Sequence, residues 1–129
     1  MSTEYFQRRQ NKLRSKLAKE NLDGMLVTNL THIRYLCGFT GSSATLLISG
    51  DKVHFITDGR YVVQSEKEVK GANIIIDSIP HIEVIKNQNL LTHRSKIAFD
   101  GNSVSHQAYQ QKSKVLSNQQ LENITGVMK

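Results

Sequence analysis

Two strand-like runs, ATLLIS at residues 44–49 and VHFIT at 53–57, flank Gly50-Asp51. Glycine at the first central position of a two-residue loop reaches the positive φ that a tight hairpin turn demands. The spacing therefore predicts an antiparallel pair, and any sheet built by this chain contains at least one. Lys52, His54 and Thr57 alternate imperfectly with Val53, Phe55 and Ile56, which predicts a strand with one partly wet face.

Around this hairpin, helical and strand-like patterns alternate. Phe6, Leu13 and Leu17 recur at offsets of seven and four, one face of a helix over 3–20. Ser2 or Thr3 is its expected cap, and Asn21 and Gly24 are stop signals. Residues 25–28 read as a short buried strand. Thr31 is expected to cap a second helix carrying Ile33, Tyr35 and Leu36, which Gly38 ends. Asp58 is expected to cap a helix through Val69 with Tyr61, Val62, Ser65 and Val69 on one side, closed by Gly71. The β-branched run 74–76 predicts a buried strand. Pro80 suits the first turn of a helix in which Ile79, Ile82 and Ile85 recur. Residues 96–99 predict another strand, Ser103 a cap for a final helix, and 121–127 a last strand. This order predicts an α/β fold: a three-layer-like mixed sheet with one antiparallel hairpin, flanked by helices. No repeat or linker interrupts it, so residues 1–129 are read as one domain. Tryptophan is absent and aromatics make up 6%, so Ile, Leu and Val must supply most of the core.

The charge is +6, from 17 basic and 11 acidic residues. It is uneven: Arg8, Arg9, Lys12, Arg14, Lys16 and Lys19 stand against Glu4 and Glu20 in the first twenty residues. These cations share a helix with Phe6, Leu13 and Leu17 and do not alternate with stacking aromatics. They are read as its solvated face, and neither nucleic acid nor membrane is expected as a partner. No apolar run approaches the roughly 20 residues of a membrane span, and the start lacks the apolar stretch of a signal peptide. A single cysteine, Cys37, allows no intrachain disulfide. A reducing, cytoplasmic location is the expectation.

The search for chemistry yields no catalytic residue and no metal site. His32, His54, His81, His93 and His106 never fall into HExxH or HxxxH spacing; each is read as a hydrated surface histidine. Asp58 and Asp100 follow strands, where active-site carboxylates often sit, but each precedes Gly, which favours a turn or cap. GFTGSS at 38–43 lacks the lysine of a phosphate-cradling loop and is read as a tight connection. Cys37 follows a helix and does not open one, so it is read as a small structural hydrophobe.

The stretch HIRYLCGFTGSSATLLIS, followed by FITDGRYVVQSEKEV, resembles the N-terminal, creatinase-type domain of proline-specific metallopeptidases, the Xaa-Pro aminopeptidases and Xaa-Pro dipeptidases (prolidases). The match rests on Ile33, Tyr35, Leu36, Gly38, Phe39, Gly41 and Ser42, then on Thr57, Asp58, Arg60, Tyr61 and Gln64. His32 replaces the more usual Asn. The resemblance implies a ribonuclease-H-like fold and an accessory role. In such proteins the catalytic pita-bread domain follows, and its two Asp, one His and two Glu hold two divalent ions, Mn, Co or Zn. That domain is not expected within residues 1–129, so this chain by itself is expected to be inactive and without cofactor. The implied partners are the chain's own catalytic domain, a second subunit of a homo-oligomer and short proline-containing peptides.

Three substrate-wall candidates follow from the resemblance. Phe39 and Tyr35, on and before the 37–43 loop, are either exposed aromatics that pack on a proline ring or core residues. Arg60 either meets a peptide carboxylate or pairs with Asp58. The alternative function is a non-catalytic peptide- or protein-binding module of peptidase-like fold, since related domains occur in inactive proteins.

Overall fold

A computed structural model describes residues 3–91, 96–100, 107, 110 and 120–124. Its elements are α1 (Thr3–Lys19), β1 (Gly24–Val27), α2 (Leu30–Cys37), β2 (Thr45–Ser49) and β3 (Lys52–Thr57), a 3₁₀ turn (Gly59–Tyr61), then α3 (Val62–Glu68), β4 (Asn73–Ile76), α4 (His81–Asn87), β5 (Lys96–Asp100) and β6 (Gln120–Ile124). Among the described residues the sheet has six strands, in the order β4-β3-β2-β1-β5-β6. The hairpin forms as predicted, with Ser49 opposite Lys52 and Gly50 at φ 59°. β2 is antiparallel to β1 and β3, whereas the β3–β4, β1–β5 and β5–β6 pairs are parallel. All strands but β2 therefore present their carboxyl ends at one edge.

Pleating sorts the apolar side chains into two layers of core. Met25, Val27, Leu46, Ile48, Phe55 and Ala98 face α1, α2 and Val69. Leu26, Leu47, Ile56, Ile75 and Ile97 face Ile82, Val84 and Ile85 of α4. Helices on both faces make the expected three layers.

Helix ends follow local chemistry. Asn21 takes the left-handed conformation (φ 59°), and the Leu22 amide returns to the Leu17 carbonyl at 2.9 Å, so α1 stops where its sequence signals it. Gln10 shares the buried stripe of Phe6, Leu13 and Leu17. Its amide nitrogen donates to the Leu36 carbonyl at 3.0 Å, which satisfies a polar group that burial alone would penalise.

Several local expectations are corrected. Asn29, not Thr31, caps α2: its side chain accepts the His32 amide at 3.1 Å. Asp58 caps the 3₁₀ turn, and α3 begins only at Val62, leaving Val62 and Val63 exposed. β4 is an edge strand in which Ile75 is buried and Ile76 is exposed. β3 is dry beyond Lys52, because the α4 layer covers its second face, and His54 is buried there. The predicted last helix is represented by Gln107 and Gln110, both helical; its cap Ser103 lies outside the described residues, as does Val127 beyond β6.

Candidate functional site

The two sequence motifs meet in space. α2 ends at Gly38, in the left-handed conformation, with its amide on the Arg34 carbonyl at 2.9 Å. The loop that follows is rooted by Phe39. That ring is 1% exposed and meets Phe55 edge-on at 4.7 Å and Tyr61 at 5.4 Å between centroids. Phe39 is therefore core, and burial removes it from the substrate-wall candidates. Gly41 lies against the same ring: a Cβ there would stand 2.2 Å from the Phe39 ring tip, so the loop needs glycine for lack of space.

Polar contacts clip the loop to α3. The Glu68 carboxylate accepts the Thr40 amide at 2.8 Å and the Thr40 hydroxyl at 2.9 Å. Gln64, one turn earlier, donates to the Thr40 hydroxyl oxygen at 3.1 Å and to Glu68 at 3.2 Å. Burial pushes the Glu68 carboxyl up, but the Thr40 and Gln64 donors and the Arg34 charge together hold it below its ordinary value. The Ser42 hydroxyl meets the Tyr61 hydroxyl at 2.5 Å, and that bond lowers the Tyr61 pKa. Thr57, at the end of β3, donates to the Ser43 carbonyl at 2.6 Å. Thr40, Gln64 and Glu68 form the clip. Sequence reasoning picked Gln64 out only as a motif position, and the sole signal for Glu68 was its i,i+4 spacing from Gln64.

Tyr35 and Arg60 flank this loop. Tyr35 is 41% exposed, lines the same groove as Gly38 and Thr40, and stacks on the Arg9 guanidinium at 4.1 Å. Arg60 donates bidentately to Asp58, at 2.9 and 2.8 Å, while the Arg60 amide donates to the same carboxylate at 3.0 Å. These bonds bring the Asp58 pKa down to about 2. Of the two readings of Arg60, the pairing with Asp58 is the one present.

The other candidates resolve into structure. Cys37 is fully buried, and desolvation pushes its thiol up to about 11, an inert state. His54 is not a surface residue: it is 9% exposed, and burial, then the Lys52 charge, lowers its pKa. His81 Nδ1 meets the Thr45 hydroxyl at 2.8 Å. His81 and Thr45 line a cavity of about 490 Å³ at the carboxyl edge of the sheet, together with Asp58 and Asp77. Both carboxylates are engaged locally, Asp58 by Arg60 and Asp77 by the Ser78 and Ile79 amides. Among the described residues no group of three or more His, Cys, Asp or Glu converges to hold a metal ion; the donors present do not fit one. No helix among them is long and apolar enough to cross a membrane.

The comparisons with known proteins agree with this geometry. The family model described as the creatinase/prolidase N-terminal domain matches residues 9–129. The uncharacterized peptidase YqhT of Bacillus subtilis is 38% identical over 110 residues, which cover 85% of this chain and 31% of that protein. The chain thus spans about a third of the length of this relative. An Xaa-Pro dipeptidase structure from Bacillus anthracis superposes with a TM-score of 0.85 at 26% identity, over 95% of this chain and 34% of that one. An Xaa-Pro aminopeptidase structure from Streptococcus pyogenes gives a TM-score of 0.85 at 28% identity, over 98% of this chain and 97% of that one. With the paired motifs joined through Thr40–Glu68 and Phe39–Tyr61, and the family model matched over nearly its whole length, this chain belongs to the creatinase/prolidase N-terminal domain family.

Proposed function

We propose that this chain is the accessory N-terminal domain of a metal-dependent Xaa-Pro peptidase, acting on short peptides at the bond next to proline. Its task is to close one wall of the substrate site and to help hold a homo-oligomer together. The observation that carries this is the clipped loop 38–43, with exposed Tyr35 in the groove beside it and Arg60, paired with Asp58, over the Tyr61 ring that holds Ser42. A wall that restricts access to short peptides must keep its shape when substrate arrives, and a loop already ordered has little left to lose on binding. Tyr35 offers a flat apolar face to a proline ring, and Arg60, whose Nε and Nη2 are held by Asp58, keeps the donors of Nη1 for a peptide carboxylate. The divalent ions of such an enzyme, Mn, Co or Zn, belong to the catalytic domain. The described residues do not fit them, and no hydrolytic step is assigned to residues 1–129. The location is cytoplasmic.

Kinetics of the polypeptide that joins this domain to a catalytic domain test the reading. Tyr35→Ala and Arg60→Ala are expected to raise KM for Xaa-Pro dipeptides about 5- to 10-fold with a smaller change in kcat, the signature of lost ground-state binding. Unchanged values for both variants would remove the wall.

A further inference from the structure

The groove that Tyr35 shares with the clipped loop, on one side of the proposed wall, carries an excess of positive charge. It measures about 470 Å³ and lies between α1, α2 and the segment around the end of α3, with Phe6, Gly38 and Thr40 along its lining. Arg9, Arg34, Lys67 and Lys70 line it, against the one carboxylate of Glu68. Its single charge, which also faces Arg34, relieves only part of the field of four cations. Among the described residues, the Lys67 and Lys70 side chains meet no carboxylate.

One rim of the groove is aromatic: Tyr35 lines it, and Tyr5 lies beyond Arg9. The Arg9 guanidinium lies between two tyrosine rings, 4.0 Å from the Tyr5 centroid and 4.1 Å from that of Tyr35. It also donates to the Tyr35 carbonyl at 2.7 Å, which locks α1 to α2. Tyr5 and Tyr35 remain 43% and 41% exposed. Tyrosine and arginine held in place beside a pocket are the residue types that anchor protein interfaces, because they bring large contact area at small cost in order. Such a rim on a solvated face is more than a coat of charge requires.

We infer that this groove docks an acidic segment of a partner polypeptide, with a Glu or Asp of that segment entering between the cations and an apolar neighbour lying on Tyr35. Charge complementarity selects this occupant. A second copy of this chain, itself at +6, would bring like charges together. A nucleic acid would run a continuous line of phosphates past the Glu68 carboxylate, whereas a single carboxylate can sit clear of it. Each tyrosine also has one face already covered by Arg9, which leaves less ring for base stacking.

The experiment is a fluorescence-anisotropy titration of the purified chain, at about 0.15 M salt so that diffuse attraction is screened. The probe is a labelled peptide of alternating Glu and Phe. The comparators are the same peptide with Lys in place of Glu, and a single-stranded oligothymidine. Saturable binding of the acidic peptide alone is expected. The double variant Lys67→Glu/Lys70→Glu is expected to weaken it at least about tenfold, and Tyr35→Ala several-fold. Lys19→Glu/Lys96→Glu, an equal charge change made away from the groove, is expected to leave binding within about twofold; circular dichroism checks that each variant is folded. Absence of saturable binding overturns the proposal. Equal weakening by the two charge-reversed variants overturns it too, since binding would then follow net charge alone. Tighter binding of oligothymidine that the groove variant abolishes would make the surface a nucleic-acid site instead.

Discussion

The Glu68 carboxylate accepts both the amide and the hydroxyl of Thr40, a residue 28 positions earlier, at 2.8 and 2.9 Å. This pair fastens the loop after α2 to the last turn of α3. A charged acceptor with two donors on one residue is stronger than a neutral pair, so the contact fixes loop shape as well as stability.

Glu68→Gln and Thr40→Val are each expected to lower the unfolding free energy by about 1–2 kcal/mol. The double variant should lose less than the sum, because both remove the same interaction. Urea denaturation of the four proteins at neutral pH measures this; strict additivity would show that the two residues act separately.

Acid should loosen the same region. The folded-state pKa values of Glu68 and Asp58 lie below their ordinary values, Asp58 moving from 3.8 to about 2. A depressed carboxylate pKa stabilises the fold above the unfolded value, and that contribution is lost as pH falls through the folded one. Stability is therefore expected to decline from about pH 4.5 toward pH 2. Glu68→Gln should flatten the upper part of that decline, read as the urea midpoint against pH.

His54 adds a separate, higher window. Burial and the nearby Lys52 charge lower its pKa below 6.5, so the unfolded chain takes up a proton on acidification before the folded one does. Stability thus falls as pH drops below 6.5, until the folded imidazole also titrates. His54→Leu, facing Leu47 across the hairpin, should remove this slope below about pH 6.5 while leaving the carboxylate region intact.

Phe39→Ala should cost about 3–5 kcal/mol, the range for deleting a buried aromatic. Tyr35→Ala, half exposed, should cost far less, about 1 kcal/mol or below. Thermal unfolding separates the two. A mild effect at Phe39 would mean that its ring is not the root of the loop.

The cap of α2 offers a comparison between neighbours. Asn29→Ala should destabilise by about 1 kcal/mol, since the His32 amide loses its acceptor. Thr31→Ala should fall within about 0.5 kcal/mol of zero.

What could be read from residue order alone was whatever depends on neighbours in the chain. Gly50 between two apolar runs announced the hairpin, and the spacing of Phe6, Leu13 and Leu17 announced α1. The α/β class followed from the alternation of such patterns. Choices settled by tertiary contact were not visible. Gln10 occupies a core position because two carbonyls from distant segments happen to need a donor. His54 is buried on the face of β3 from which Ile56 packs against α4, an element that arrives much later in sequence. Asn29 and Thr31 are both residue types that cap helices, Asn the better of the two, and the backbone geometry makes Asn29 the cap. At the loop, paired glycines and an aromatic fit either a displayed or an anchored ring; the partner that decides it, Tyr61, lies 22 positions further on.

The rooting of Phe39 against Phe55 and Tyr61 also sets how such a surface can change. A residue deep in the hairpin and a residue at the rim of the loop share one ring as their neighbour. Remodelling the outside of this domain therefore runs through its interior: a swap at Phe55 would tilt Thr40, and a reshaped loop would first need a reshaped strand.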